Sequence, residues 1–518
     1  MNPKKIVFRV DASLEIGTGH VIRCLTLAEA LRKRGCECQF ICREHPGNLI
    51  DLISERGFTA HCLPSAEASR GLRQDPRSLA HAAWLGADWR TDAGQTRKAM
   101  GDVTVDWLVI DHYAIDEGWE RKLRPACRRL MVIDDLADRT HDCDLLLDQN
   151  LVASWQDRYR YKVPDNCAFL LGPEYALLQS IYAELHDRIP PREGRIRRIL
   201  VYFGGADTDN LTGMVISAFG VINTEGVFMD VVMNPVSPHI ASVRRLAGKD
   251  NRISLHERLP NLAPLIAEAD LAIGAGGATS WERCCLGLPT LIITLAENQR
   301  PIAEELDRTG IAQWLGHKDN INAVQLSRTL QTILDNDVPP EWSQRCYALV
   351  DGRGVERVAS FILLDAQTTF KTRLARLDDE QILLQWANDP LVRKNAFHPD
   401  AIDPITHRKW LCKRLDDQEN CRLYIVEIEN VFPIGQVRFD KIEDGWDISY
   451  SLDHRVRDRG FGKSLLQDAI STFKKTKSQT LIFARVKDTN VRSCRLLENI
   501  NFKLNIHKKN ICIYILEI

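Results

Sequence analysis

What the chain lacks narrows its class first. No apolar run approaches the ~20 residues that a bilayer span needs, and the opening MNPKKIVFRV passes straight into strand-like residues without a secretory apolar region. Neither charge is in excess. The 68 Lys and Arg face 70 Asp and Glu, so no bulk field draws the chain to nucleic acid or anionic membranes, and no basic stripe with interleaved aromatics is present. Low-complexity tracts and short-period repeats are also missing. Fifteen cysteines, an odd number, are scattered through apolar runs such as Cys284-Cys285 instead of framing short loops, which is the pattern of reduced thiols. Cys36, Cys38 and Cys42 are spaced like metal ligands, but no second Cys/His pair follows at finger distance, so no metal is expected. These absences lead to an expectation of a cytoplasmic protein without nucleic-acid partner or membrane insertion. Oligomeric state is not written in the sequence.

What is present is an alternation of apolar strands and helical patterns. The length, 518 residues, exceeds one ordinary core and suggests roughly three or four domains. Lys5–Val10 reads as a strand, Val21–Arg34 as a helix closed by Gly35, and further strands fall at Cys38–Cys42, Trp107–Ile110 and Leu130–Ile133, the last two followed by Asp111 and Asp134-Asp135. Such βα order predicts a parallel sheet covered on both faces. The run HDRIPPREGR near residues 186–195 breaks the pattern. The alternation then restarts with strands Arg198–Phe203, Val227–Met233, Leu271–Ile273 and Thr290–Thr294. Beyond residue 371 the order becomes α+β: three antiparallel strand patterns (Leu423–Ile428, Ile434–Phe439, Trp446–Leu452), a helix Lys463–Lys474, a strand Thr480–Val486, a helix Asn490–Ile500 and a terminal strand Cys512–Ile518. The predicted domains are 1–190, 191–367 and 371–518.

Three constellations carry chemistry. In the first, Arg9-Val-Asp11 leads through Gly17-Thr-Gly19-His20 to Arg23. The glycines permit a tight turn beside a ligand, and the helix start offers unpaired N–H groups and a positive dipole end. An imidazole there is favoured in its neutral, base-competent form. Gly-x-Gly-His alone is a weak signal and reads first as a capping histidine on an ordinary βα loop. In the second, Gly274-Ala-Gly276-Gly277-Ala-Thr279-Ser280-Trp-Glu282 follows a strand and opens a short helix. Adjacent glycines at a helix start suit a diphosphate. Glu282 is placed to accept ribose hydroxyls, and Glu297-Asn298-Gln299 follow the next strand with groups for a sugar or phosphate. Gly204-Gly205-Ala-Asp207 repeats the glycine turn at the first strand of that domain. The alternative for both turns is close helix–sheet packing.

Residues 1 to about 365 resemble the UDP-sugar hydrolases of pseudaminic acid biosynthesis, on Arg9-Val-Asp11-Ala-Ser with Gly17-Thr-Gly19-His20-Val-Ile-Arg23-Cys and on Gly276-Gly277-Ala-Thr279-Ser280-Trp-Glu282 with Asn298-Gln299. The family is related in fold to the two-domain glycosyltransferases that form lipid II. The resemblance therefore implies an α/β architecture of two Rossmann-like domains in a glycosyltransferase-B-like arrangement, with UDP held by the second domain. It also implies water activation by His20, hydrolysis of UDP-2,4-diacetamido-2,4,6-trideoxy-β-L-altropyranose, and UDP and the free diacetamido sugar as products. Asp11 is the carboxylate expected to orient His20.

The third constellation, Arg457-Asp-Arg459-Gly460-Phe461-Gly462-Lys463, lies between a strand and a helix and resembles the pyrophosphate loop of the GNAT N-acetyltransferases. Successive N–H groups at such a helix start wrap a pyrophosphate, which implies acetyl-CoA as co-substrate. Asn490-x-x-Ser493 and Asn501-Phe502 stand where that family's second motif belongs, and Trp386-Ala-Asn388-Asp389-Pro390 resembles the opening helix of its ribosomal-protein branch. Two positions depart from the pattern: Leu497 replaces the tyrosine that protonates the departing thiolate, and Asn501 replaces a glycine. In the pseudaminic acid route, N-acetylation of a 4-amino UDP-sugar directly precedes UDP removal, so a fusion implies consecutive steps on one chain. A sugar-transferring enzyme with an acetyltransferase-like interaction domain is the alternative.

Overall fold

The computed structural model describes residues 3–64, 79–204, 207–222, 225–365, 368–428, 432–457, 459–477 and 479–518. The chain divides into two compact units, Met1–Ala359 and Ser360–Ile518.

The first unit contains two parallel sheets. Strands β1 (Lys5–Val10), β2 (Glu37–Arg43), β3 (Thr59–Leu63), β4 (Val105–Asp111), β5 (Cys127–Ile133), β6 (Leu145–Asp148) and β7 (Ala168–Leu171) lie in the order β3-β2-β1-β4-β5-β6-β7. Parallel neighbours need a crossover between them, so helices cover both faces and the strands become continuous apolar runs. Leu108, Val109 and Ile110 illustrate this, each at most 1% exposed. The second sheet joins β8 (Arg198–Tyr202), β9 (Phe228–Val232), β10 (Ile253–His256), β11 (Leu271–Gly274), β12 (Thr290–Thr294) and β13 (Gln313–His317) in the order β10-β9-β8-β11-β12-β13. In each sheet the winding reverses once, between β1 and β4 and between β8 and β11. At such switch points the loops leave in opposite directions and open a crevice at the strand C-termini.

The second unit is built on a mixed sheet of β14 (Phe370–Leu374), β15 (Cys421–Ile428), β16 (Phe432–Ile442), β17 (Gly445–Leu452), β18 (Leu481–Lys487), β19 (Lys503–Lys508) and β20 (Ile511–Glu517), ordered β14-β15-β16-β17-β18-β20-β19. All pairs are antiparallel except β17 with β18, whose register covers only Trp446↔Ile482 and Asp447↔Phe483. Beyond Asp447 the two strands separate. Helix Phe461–Lys474 packs its apolar side on the sheet, with Phe473 stacked on Phe439 at 4.1 Å and edge-on to Trp446 at 5.1 Å.

The fold is α/β: two doubly wound parallel domains in series followed by an α+β domain, the class expected from the strand–helix alternation. Helix Gly354–Leu363 follows the second parallel domain and spans the boundary between the two units.

Candidate active sites

The first site grows from the C-terminal ends of β1 and β4. After β1 the chain turns back on itself. Ser13 Oγ accepts the N–H groups of Glu15 and Ile16 at 3.1 and 2.9 Å, the Gly17 N–H donates to the Ser13 carbonyl at 2.9 Å, and Gly17 takes the left-handed φ of +80° that closes the turn. Helix Gly19–Lys33 therefore begins beside β4, with His20 as its second residue.

The imidazole of His20 is 8% exposed, and its Nδ1 lies 2.5 Å from Asp111 Oδ1. Arg23, one helical turn further on, grips the same carboxylate through Nε (2.6 Å to Oδ2) and Nη2 (2.6 Å to Oδ1), and reaches Asp135 with Nη1 at 3.1 Å. Burial alone would raise the Asp111 carboxyl. The charge of Arg23, then that of His20, and the hydrogen bonds from both outweigh it and hold the group well below the usual carboxylate range. Tyr113 meets the His20 ring edge-on at 4.7 Å and stacks with Trp84 at 5.7 Å, while Trp84 Nε1 donates to Glu15 at 2.9 Å.

Asp11 does not contact His20. Its Oδ1 is 2.7 Å from Arg9 Nη1 and accepts the Arg43 N–H at 2.6 Å, and its Oδ2 lies 3.2 Å from His112 Nε2. The reason is positional. Asp11 directly follows β1 and points into a buried network in which Arg9 and Arg43 also bind Asp92, at 2.7 and 2.6 Å. The carboxylate that reaches the helix start comes instead from the neighbouring strand. Asp111, Arg23, Tyr113 and Asp135 were not among the expected site residues. The signal for two of them was an acidic residue at the C-terminal end of a predicted parallel strand.

The second site surrounds the turn after β11. Gly276 sits where a Cβ would meet Ile292 Cγ2 at 3.2 Å, so this glycine serves packing, whereas Gly277 faces open space apart from the Gln299 amide at 3.9 Å. Gln299 Oε1 accepts the Leu295 N–H at 3.0 Å, which fixes its side chain beside the glycines, and Asn298 is exposed. Thr279 opens the short helix Thr279–Cys285, and Ser280 Oγ accepts from the buried Arg283 guanidinium at 3.0 Å. Glu282 has a buried Oε2 without a hydrogen-bond partner. Burial pushes this carboxyl up to about 7, against the opposing pull of the Tyr182 hydroxyl and Arg283. The Tyr182 hydroxyl is its near neighbour, and a carboxylate has acceptor capacity left for a hydroxyl-bearing ligand. Gly204 lies two residues beyond β8, with φ +94° and open space beside it. The other half of that turn, Gly205, lies outside the described residues. Asp207 is used locally, accepting the N–H groups of Leu211 and Thr212 at 2.9 and 3.0 Å.

In the second unit, the loop between β17 and helix Phe461–Lys474 ends at Gly460, with φ +86°. Of the expected acetyl-CoA residues, Lys463 is exposed and Gly462 lies under Leu496. Phe461 is buried edge-on to Phe370 at 5.7 Å, so it can offer a ligand only its backbone. Arg459 sits over the Phe361 ring at 4.4 Å. Arg457 is turned inward, donating to Asp389 Oδ1 at 2.8 Å and to the Leu452 carbonyl at 3.1 and 2.8 Å. It fixes the loop instead of presenting a free charge. Asn490 caps helix Val491–Glu498 by accepting the Ser493 N–H at 3.3 Å.

Residues 371–503 match the model of the acetyltransferase (GNAT) domain. An uncharacterised protein of Methanocaldococcus jannaschii is 20% identical over 513 residues, 96% of each chain. The UDP-2,4-diacetamido-2,4,6-trideoxy-beta-L-altropyranose hydrolase of Campylobacter jejuni is 24% identical over 308 residues, covering 59% of this chain and 97% of that protein. Among solved structures, Acinetobacter baumannii MurG is 14% identical with a TM-score of 0.48, covering 70% of this chain and 99% of that one. The chain thus joins an N-terminal part homologous to the UDP-diacetamido-sugar hydrolase to a C-terminal acetyltransferase domain of the GNAT family.

Proposed function

We propose that the chain is a bifunctional enzyme that N-acetylates a 4-amino UDP-sugar at the expense of acetyl-CoA and then hydrolyses the resulting UDP-2,4-diacetamido-2,4,6-trideoxy-β-L-altropyranose to UDP and the free sugar. The observation that carries the hydrolase half is the contact between His20 Nδ1 and Asp111. An ionised, Arg23-held carboxylate takes the Nδ1 proton as a hydrogen bond and leaves Nε2 to accept one from water, and it stabilises the imidazolium that then forms. The water attacks the anomeric carbon from the face opposite UDP, and the configuration inverts. UDP leaves as a stable anion, so charge stabilisation matters more than a protonating acid. The turn at Gly276-Gly277 supplies backbone N–H groups for that purpose and Glu282 an acceptor for the ribose. A glycosyltransferase-B-like arrangement of the two parallel domains fits this division of labour.

A second reading, sugar transfer to an acceptor other than water, draws on the 24% identity over 376 residues with the N-acetylglucosamine transferase of Acidithiobacillus ferrooxidans that acts on a pyrophosphoryl-undecaprenol substrate. One assay separates these readings: UDP release from the 4-amino UDP-sugar with and without acetyl-CoA, with free thiol followed in parallel. Thiol release that precedes acetyl-CoA-dependent UDP release supports the bifunctional enzyme. UDP release only when a second sugar or lipid acceptor is added supports transfer.

A further inference from the structure

The acetyl-transfer half of the proposed function leaves one chemical task unassigned. When the amine nitrogen bonds to the acetyl carbonyl carbon and the C–S bond breaks, the departing thiolate needs a proton. The helix position expected to supply it is Leu497, fully buried and without a titratable atom.

The neighbouring strand offers a replacement. β17 and β18 part after Asp447, so the last residues of β17 line a gap that no partner strand fills. Tyr450, paired with Val437 of β16 but open on the β18 side, projects on the same face as Trp446 and Ile448, because strand side chains alternate. Its hydroxyl oxygen is buried and faces the Ser493 hydroxyl, with Cys494 beside it, in the first turn of helix Val491–Glu498. A phenol both donates and accepts, so a Ser493 contact leaves it capacity for a ligand bound in the gap. Burial also pushes the phenol up to about 12, so it stays protonated across the physiological range. The same helix that places leucine at 497 thus brings its N-terminal turn against a tyrosine from the strand.

We infer that Tyr450, standing in for the missing tyrosine of the helix, donates its hydroxyl proton to the thiolate that leaves the acetyl thioester. The electron pair of the C–S bond goes to sulfur, sulfur takes the Tyr450 proton, the new amide nitrogen releases its proton to water, and water restores the phenol. The inference rests on the acetyltransferase reading of this unit.

The test uses the full chain with acetyl-CoA and the 4-amino UDP-sugar. Thiol release by the unaltered chain is the control for the reading itself. If neither this amine nor a panel of simple primary amines releases thiol, the reading and the role of Tyr450 fall together. If thiol is released, Tyr450→Phe is expected to lower kcat about 10²-fold, within the ~10²–10⁴ range of general acid–base help, with KM for both substrates and the affinity for CoA little changed. A kcat within twofold of the unaltered chain overturns the role of Tyr450 alone and leaves the reading standing. Should the phenylalanine variant fail to bind CoA, 3,5-difluorotyrosine at position 450 keeps the shape and makes the phenol more acidic. An alkaline fall in kcat at lower pH than in the unaltered chain supports the donor, and an unmoved profile overturns it.

Discussion

A histidine used as a base has two nitrogens, and the partner of one decides what the other can do. Here the partner is Asp111, held ionised chiefly by Arg23 against its own burial. Asp111→Asn keeps the shape but removes the charge and favours the wrong tautomer, so kcat for UDP release is expected to fall about 10³–10⁴-fold with UDP affinity unchanged, as steady-state kinetics and UDP titration would show. Asp11→Asn should act on stability instead. It strips a buried partner from Arg9, a change typically costing about 3–5 kcal/mol, and urea unfolding measures the loss. The pairing of His20 with Asp111 could not be read from the sequence, because the two residues lie 91 positions apart and the sequence offered a nearer carboxylate in Asp11. Sheet order, which no local pattern records, made the choice.

Glu282 titrates near neutrality. Its folded value of about 7 lies above the ordinary 4.5, so the native chain holds a proton there that the unfolded chain has already released. Stability contributed by this group is present below about pH 4.5 and is lost as pH rises toward 7. If ribose hydroxyls donate to the carboxylate, UDP affinity rises between pH 6 and 8. Glu282→Gln should flatten both dependences, and calorimetric titration of UDP across that range checks it.

At the scale of elements, the turn after β11 separates two duties that look identical in sequence. An alanine at 276 meets Ile292, whereas one at 277 meets almost nothing. Gly277→Ala is therefore expected to leave Tm within about a degree while weakening UDP binding, since a Cβ would stand where a ligand approaches the backbone. Gly276→Ala should lower Tm as well. Thermal unfolding beside UDP titration distinguishes the two. The strongly apolar strands were legible because parallel sheets bury them on both faces: β1, β4, β5, β8 and β12 each fall on a run the sequence marks. Strands β3, β6, β7, β10, β13, β14 and β19 were not read. Several are only four or five residues long, and β19, Lys-Leu-Asn-Ile-His-Lys, is exposed along its whole length at a sheet edge. Its strand character comes from pairing with β20, not from any apolar pattern of its own.

Across the whole molecule, the change from βα alternation to antiparallel order near residue 371 was visible in the sequence, while the compact units meet at Ala359-Ser360, inside helix Gly354–Leu363. A single helix carries no mark of where packing changes hands. The two proposed activities should be separable in the intact chain. His20→Ala is expected to slow UDP release by about 10²-fold or more, yet leave acetyl-CoA-dependent thiol release at the level of the unaltered chain. Assay of both products in one reaction would then show the acetylated nucleotide sugar accumulating.

Two compact units on one polypeptide also fix a ratio. Every ribosome that completes the chain makes one copy of each, so no change in expression can enrich one activity over the other. Under the proposed function, the balance between making the diacetamido nucleotide sugar and consuming it is written only in the turnover numbers of the two sites, and a substitution that slows the second cannot be offset by synthesising more of it alone.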